Sequence, residues 1–388
     1  MKRLVLAGFV LFLGVLVCFG GLTAPTKAVF ALEPDFEGKA ICLMEYDSNQ
    51  ILFEKNADAH LPIASIVKLM TILITMEQIE DGKLNADDMI VVSKNAAGMG
   101  GSQVFIDAGS SYAVGDMLKS VIVSSANDAS VALAEVIAGT EENFVKIMNE
   151  RAKELKLDNT VFANSTGLPA SQYSCAKDVA LMLKEVTSHE IYHNYSTIWM
   201  DKLAHKGGRE TELVNTNKLI RYFEGCDGGK TGSTNEAGYC LAASAKRGDM
   251  RLIGVVLGSK TGTERFAAAS ALLSFGFNNY ENKIMIENDQ TLQAFEISGG
   301  KTPVEAVSKN DITVLKEKND NESLSTKIDI NKNLKAPINK GDTVGKVYII
   351  KGGIVVGESD LVAKQDVKRM KISDNIIKVT REWAIAAK

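Results

Sequence analysis

Three short patterns in this 388-residue chain bring hydroxyls and amines close enough for acyl-transfer chemistry. Ser65-Ile-Val-Lys68 spaces a hydroxyl and an amine three residues apart, which on a helix places both on one face, one turn apart. Its neighbours Ile63, Ala64, Ile66, Val67, Leu69 and Met70 are all apolar. A lysine held among them is desolvated, which favours the neutral amine, and a neutral amine beside a hydroxyl is a base beside a nucleophile. The helix N-terminus adds backbone N–H groups for developing negative charge. The plainer alternative is a snorkelling lysine beside a serine near an N-cap. Ser125-Ala-Asn127 offers a hydroxyl for proton transfer and an amide for a substrate amide, and Ser125 or Asp128 would equally cap the following helix. Lys230-Thr231-Gly232 follows the glycine-rich run Gly225-Cys-Asp-Gly-Gly229. Glycines admit a second backbone, so a strand edge carrying Lys and Thr can take an extended peptide, with positive charge near its terminal carboxylate.

None of these patterns is specific alone. Ser-x-x-Lys recurs at Ser174 and Ser298, and Ser-x-Asn at Ser93, Ser233, Ser308 and Ser373. A second Lys-Thr-Gly at Lys260 is expected to end a strand and run into a loop without function. The elements around each pattern decide. Ala40–Tyr46 and Gln50–Glu54 read as a hairpin across Asp47-Ser-Asn. Ile63–Ile79 is a long apolar helix opened by Pro62 and stopped near Gly82. Val114–Ala138 holds two more helices, broken at Ser124–Asp128. Glu141–Leu155 is amphipathic, with Phe144, Ile147, Met148 and Leu155 on one side. Tyr239–Ala245 and Met250–Leu257 read as paired strands, and Ala267–Phe277 as a closing helix. Strands at both ends with helices between predict one α/β domain, residues 32–280, whose mixed sheet combines early and late segments. From 282 to 365, short alternating runs such as Thr291–Ile297, Ile312–Lys316 and Val347–Ile350 predict a small all-β domain.

The termini set the compartment. A basic start, 19 uncharged residues from Leu4 to Leu22 and a small-residue stretch ending at Ala31 have the three parts of a secretory signal, residues 1–31. Its removal takes away three positive charges and no acid, lowering the net charge from −4 to −7. That balance carries no nucleic-acid footprint. Cys42, Cys175, Cys226 and Cys240 sit among apolar or small residues and are expected as buried thiols. Residues 366–388 carry Ile372, Ile376, Val379 and Trp383 at helical steps and a net charge of +3. A basic amphipathic helix with an interfacial tryptophan predicts a membrane-surface anchor.

In this order and context the patterns resemble the penicillin-recognising serine enzymes, whose three motifs are of these types. Asn215-Thr-Asn-Lys-Leu219, Asn164-Ser-Thr-Gly-Leu168 and the run Gly225–Cys240 narrow the resemblance to the D-alanyl-D-alanine carboxypeptidases, the low-molecular-mass penicillin-binding proteins. It covers the signal, the catalytic domain, the β-rich domain and the tail. It implies a β-lactamase/transpeptidase-like catalytic domain with a helical lobe, and no cofactor. It further implies that Ser65 is the nucleophile and Lys68 the general base, acting on peptidoglycan stems ending in D-Ala-D-Ala. Ser125 and Lys230 would relay a proton to the leaving amine, and Asn127 would position the peptide. Thr231 and Arg265 would meet the terminal carboxylate. The backbone of Ser65 and of Ser233, just past Gly232, would form the oxyanion hole. β-Lactams would acylate Ser65 and leave slowly.

Four readings compete. His189-Glu190-Ile-Tyr-His193 matches a zinc-protease pattern, with Glu210 or Glu212 as a third ligand. A β-lactamase would share the three motifs, but it needs a deacylating carboxylate that Phe162–Leu168 lacks. An endopeptidase cutting cross-links would share all of them. A non-catalytic wall-binding protein would tolerate loss of Ser65 or Lys68, and both are present.

Overall fold

Alternation along the strands explains the first and larger part of the described chain. In the computed structural model, which describes residues 35–320, 322–371 and 373, five strands lie in the order Ile51–Lys55, Ala40–Glu45, Met250–Ser259, Gly238–Arg247, Cys226–Thr234. Every neighbouring pair is antiparallel. The sheet therefore joins early and late segments as expected, but it is not mixed in direction. On the central strand Ile253, Val255 and Leu257 enter one core cluster, and Leu252 and Val256 enter another. Ala40, Cys42 and Met44 face the first and Ile41 and Leu43 the second. A strand with both faces buried reads as an unbroken apolar run.

Helices cover both faces. Lys68–Glu80, Val114–Ser124, Asn127–Ala138 and Ala176–Ser188 contribute to the first cluster. The helix Gly262–Asn279 packs Ala269, Leu272 and Leu273 into the second. That helix begins earlier than Ala267, because Thr261 caps it: its Oγ1 accepts the Glu264 N–H at 3.1 Å. The second Lys-Thr-Gly thus enters a helix, not a loop, and Thr261 and Glu264 hold capping-box spacing. The apolar segment after Pro62 also differs from a single α-helix. Ala64–Val67 is a 3₁₀ turn and the α-helix begins at Lys68. The four cysteines Cys42, Cys175, Cys226 and Cys240 are buried and free, as expected.

The remaining residues form antiparallel sheets. Tyr280–Ile286 pairs with Ile312–Glu317, and a five-stranded sheet contains Thr291–Phe295, Val304–Ser308, Ile354–Ala363, Thr343–Lys351 and Leu324–Ile330. Their core is Ile286, Val304, Val347, Ile349, Leu361 and their neighbours. Residues 366–371, read above as the start of a helix, are extended. Val367 is buried in this core and bridges Ile338, and the Met370 N–H donates to the Gly299 carbonyl. Their basic side chains disguised a segment held to the β domain by isolated bridges at Val367 and Arg369. The rest of the tail, apart from Ser373, and residues 1–31 lie outside the described residues. Among those described, no helix is long and apolar enough to cross a membrane.

Candidate active site

The predicted residues converge on one cleft of about 260 Å³. Ser65, Ser125, Asn127, Thr231, Gly232, Ser233 and Arg265 all line it. Lys68 and Lys230 do not reach its surface. They lie behind it, 0% and 1% exposed, each donating to a serine in front. Lys68 Nζ donates to Ser65 Oγ at 2.9 Å and to the Thr166 carbonyl at 2.7 Å. Lys230 Nζ donates to Ser125 Oγ at 2.6 Å and to the Thr231 carbonyl at 3.0 Å. Among the described residues neither amine has a carboxylate partner.

Burial and a neighbouring positive charge push both amines toward the neutral form. Loss of water pushes Lys68 well below an ordinary lysine, and the nearby Lys230 adds to the effect. Lys230 falls to about 7, first through burial and then through the positive charge of Arg265. Two serine–amine pairs at one cleft, their amines buried behind it, can take a proton at one pair and deliver it at the other.

Local structure holds each group. Ala64 has φ +47° and Ser125 has φ +61°, the left-handed region. Ser125 ends one helix and Asn127 starts the next, so the corner turns the Ser125 hydroxyl toward Lys230. Neither Ser125 nor Asp128 caps that second helix. The cap position is Ala126, without a side-chain bond, and the Asp128 carboxylate instead accepts the N–H groups of Val104, Ile106 and Ala129. Asn127 Nδ2 donates to the Gly100 carbonyl at 2.6 Å, while its buried Oδ1 has no partner.

The Lys230 strand is the open edge of the sheet. Its start is fixed from behind: the Gly229 N–H donates to the Tyr192 hydroxyl at 2.9 Å, and Asn217 Nδ2 donates to the Gly228 carbonyl at 3.1 Å. Farther along, its backbone lies against the Ser65 turn. A Cβ at Gly232 would stand 2.6 Å from the Ile63 carbonyl oxygen and 3.0 Å from the Ser65 nitrogen. Arg265 is in the first turn of its helix, not at an exposed strand end. Its Nη1 donates to the carbonyls of Gly232 and Cys240 at 3.1 and 3.2 Å, and its buried Nε has no partner.

Sequence reasoning missed four lining residues: Gly101, Ser102, Leu168 and Thr216. Leu168 and Thr216 lie inside segments that carried the resemblance, and that was the available signal. Gly101 and Ser102 looked like ordinary loop. The role of Thr166 was also hidden, since a backbone carbonyl holds Lys68. Asn164–Gly167 is itself tied down: Ser165 donates its N–H and hydroxyl to Glu141 at 2.9 and 2.6 Å.

The zinc pattern does not assemble. His189 ends one helix and His193 lies on the next. His189 Nδ1 pairs with Glu80 at 2.7 Å, and His193 Nε2 meets the Thr187 carbonyl at 3.0 Å. Glu210, a supposed third ligand, pairs with Lys202. His189 does cluster with Glu77 and Glu185. The Arg151 guanidinium already bridges those two carboxylates.

A nucleophile–amine pair on a helical turn, facing a sheet edge and a second serine–amine pair, defines a serine peptidase of the penicillin-recognising fold. The profile of the D-alanyl-D-alanine carboxypeptidase family matches residues 27–261, and that of the penicillin-binding protein 5 C-terminal domain matches 280–369. D-alanyl-D-alanine carboxypeptidase DacF of Bacillus subtilis (strain 168) is 40% identical over 89% of this chain and 90% of its own. DacC of Escherichia coli (strain K12), a carboxypeptidase of the same description, is 35% identical over 89% of each. The solved penicillin binding protein 5 from Haemophilus influenzae superposes with a TM-score of 0.73 at 31% identity, over 87% of this chain and 99% of its own. The chain belongs to the D-alanyl-D-alanine carboxypeptidase family and is a serine-type carboxypeptidase.

Close packing at Gly232 generates a direct test. Gly232→Ala should push the strand off the Ser65 turn and slow acylation by penicillin on the order of 100-fold, since a misplacement of about 1 Å costs that much. Stopped-flow acylation, with circular dichroism to confirm folding, measures it. An unchanged rate would show that the strand–turn contact does not set Ser65 geometry.

Proposed function

We propose that the cleft removes the terminal D-alanine from peptidoglycan stems ending in D-Ala-D-Ala, through an acyl-enzyme on Ser65. The observation that carries this reading is the buried Lys68 amine, hydrogen-bonded to Ser65 Oγ at 2.9 Å and with no carboxylate partner among the described residues. Lys68 takes the hydroxyl proton as Oγ attacks the carbonyl of the penultimate D-alanine. The backbone N–H groups of Ser65 and Ser233 receive the oxyanion. Lys230 and Ser125 pass a proton to the leaving nitrogen, and D-alanine departs. The proton held by Lys68 passes to the Ser125–Lys230 pair, replacing the one given to the leaving nitrogen; water then attacks the ester with the neutral Lys68 as base, and the ester bond breaks as Ser65 regains a proton and the shortened stem leaves. Asn127, with its unpartnered Oδ1, takes a substrate amide N–H. Thr231 and Arg265 hold the terminal carboxylate beside Gly232. β-Lactams enter the same route and deacylate slowly, because no carboxylate sits in Phe162–Leu168 to drive water in.

Residues 1–31 act as an export signal and 32–280 as the catalytic domain. Residues 282–365 form a spacer, and the basic tail within 366–388 lies on the outer face of the cytoplasmic membrane. Deleting 372–388 should move the protein from the membrane pellet to the soluble fraction. Retention in the pellet would remove the tail from the anchoring role.

Incubation of residues 32–388 with excess penicillin should give a long-lived covalent adduct by intact mass, absent from Ser65→Ala. Wild type should release D-alanine from a pentapeptide stem. Absence of an adduct on the wild type, with the drug intact, would exclude Ser65 as nucleophile.

A second test uses pH. The activity profile should be bell-shaped, rising as Lys68 loses its proton and falling as Lys230 loses its own. The Arg265 charge disfavours the Lys230 ammonium, so Arg265→Gln should raise the Lys230 pKa from about 7 and move the alkaline limb upward. A downward shift or no shift in the kcat/KM profile would refute this assignment.

A further inference from the structure

Phe105 stands in a conformation that its side chain disfavours, and three separate contacts hold it there. Its φ is +58°, in the left-handed region, where glycine is at ease and a bulky residue is strained. Both flanking N–H groups, of Val104 and Ile106, donate to the Asp128 carboxylate at 3.1 and 3.2 Å. The Phe105 carbonyl accepts from Arg209 Nη2 at 2.8 Å, and the same nitrogen reaches Asp107 at 2.7 Å. Val104 and Ile106 are buried in the main core, while the Phe105 side chain between them is 59% exposed. A structural phenyl ring would be expected inside. Here the backbone accepts strain that keeps an apolar ring in water.

The location gives the strain a purpose. Asp128 directly follows Asn127, and the Asn127 N–H donates to the Ser102 carbonyl at 2.7 Å. Ser102 lines the cleft, and Phe105 lies three residues farther on, within a reach of about 10 Å. In the reaction proposed above, Lys230, Ser125 and Arg265 serve the leaving group, and Asn127 takes an amide of the acyl donor. We propose that Phe105 is a specificity-determining residue whose ring packs on the aliphatic part of the acyl donor upstream of the scissile bond, and that Asp128 and Arg209 are positioning residues for that ring. The inference rests on the acyl-donor direction proposed above.

Phe105→Gly separates ligand contact from structural support, since glycine adopts this φ without strain. Two substrates are compared: diacetyl-L-lysyl-D-Ala-D-Ala, with a methylene stem upstream, and acetyl-D-Ala-D-Ala, without one. Wild type should favour the longer substrate, and the ratio of the two kcat/KM values should fall about tenfold in Phe105→Gly, the effect of uncovering a modest apolar contact. The variant's Tm should equal or exceed that of wild type. An unchanged ratio would overturn the proposal while leaving D,D-peptidase activity standing. A fall of several degrees in Tm, with both substrates losing equally, would make the ring structural and overturn it too. If wild type cleaves neither substrate, the reading of the cleft itself fails, and this inference with it.

Discussion

Two lysine amines are buried behind one cleft, and most of the local architecture answers to them. Removing an ammonium from water costs far more than a hydrogen bond returns, so a buried lysine ordinarily finds a carboxylate or loses its proton. Here neither Lys68 nor Lys230 has a carboxylate partner among the described residues. Each has one serine hydroxyl and one backbone carbonyl. Such partners suit a neutral or readily neutralised amine, and a carboxylate would have locked the charge on. The nearest candidate, Asp128, is instead occupied by backbone N–H groups. Its negative charge acts on Lys68 only as a weak opposing influence. The chemistry therefore depends on keeping acids out as much as on bringing bases in.

Backbone approach at two glycines fixes the Ser65 turn from both sides. Gly232 places the sheet edge against the nitrogen of Ser65, and Gly167, at φ +94°, places the 164–168 segment against Ala64. A Cβ at Gly167 would lie 2.2 Å from the Ala64 carbonyl oxygen. The turn is thus packed between the Lys230 strand and a strap whose Thr166 carbonyl holds Lys68. An exposed strand edge is ordinarily an aggregation hazard. Here that edge lines the cleft through Thr231, Gly232 and Ser233.

The motif residues were legible because their chemistry is carried by side chains at fixed spacing: Ser65 with Lys68, Ser125 with Asn127, Lys230 with Thr231. The two-faced sheet was legible in unbroken apolar runs such as Leu252–Leu257. Backbone roles left no such trace. The Thr166 carbonyl has no sequence signature, and neither do the Gly101–Ser102 wall or the 3₁₀ geometry at Ala64–Val67. Composition misled where tertiary packing overrode it. Tyr192, inside the apparent zinc pattern, is fully buried and supports Gly229. Residues 366–371 look like a basic helix start, yet pair with the β domain through Val367. The cap at Thr261 was readable from Glu264 three residues on, and it was obscured by a Lys-Thr-Gly that drew attention as a motif.

Departures from conformational ease cluster at the cleft. Among the described non-glycine residues with positive φ, Asn49, Asn56 and Asp289 are types that tolerate it. The others are Lys156, Ala64, Phe105 and Ser125. Ala64 adjoins the nucleophile, Ser125 bonds Lys230, and Phe105 hangs from the Asp128 clamp. Unpartnered buried atoms follow the same geography in part: Asn127 Oδ1 and Arg265 Nε belong to the cleft, whereas His189 Nε2 and Asp227 Oδ1 do not. A well-packed core offers no reason to keep such features, since each costs stability. Their coincidence with the two amines means that the fold holds the cleft short of its best-bonded arrangement.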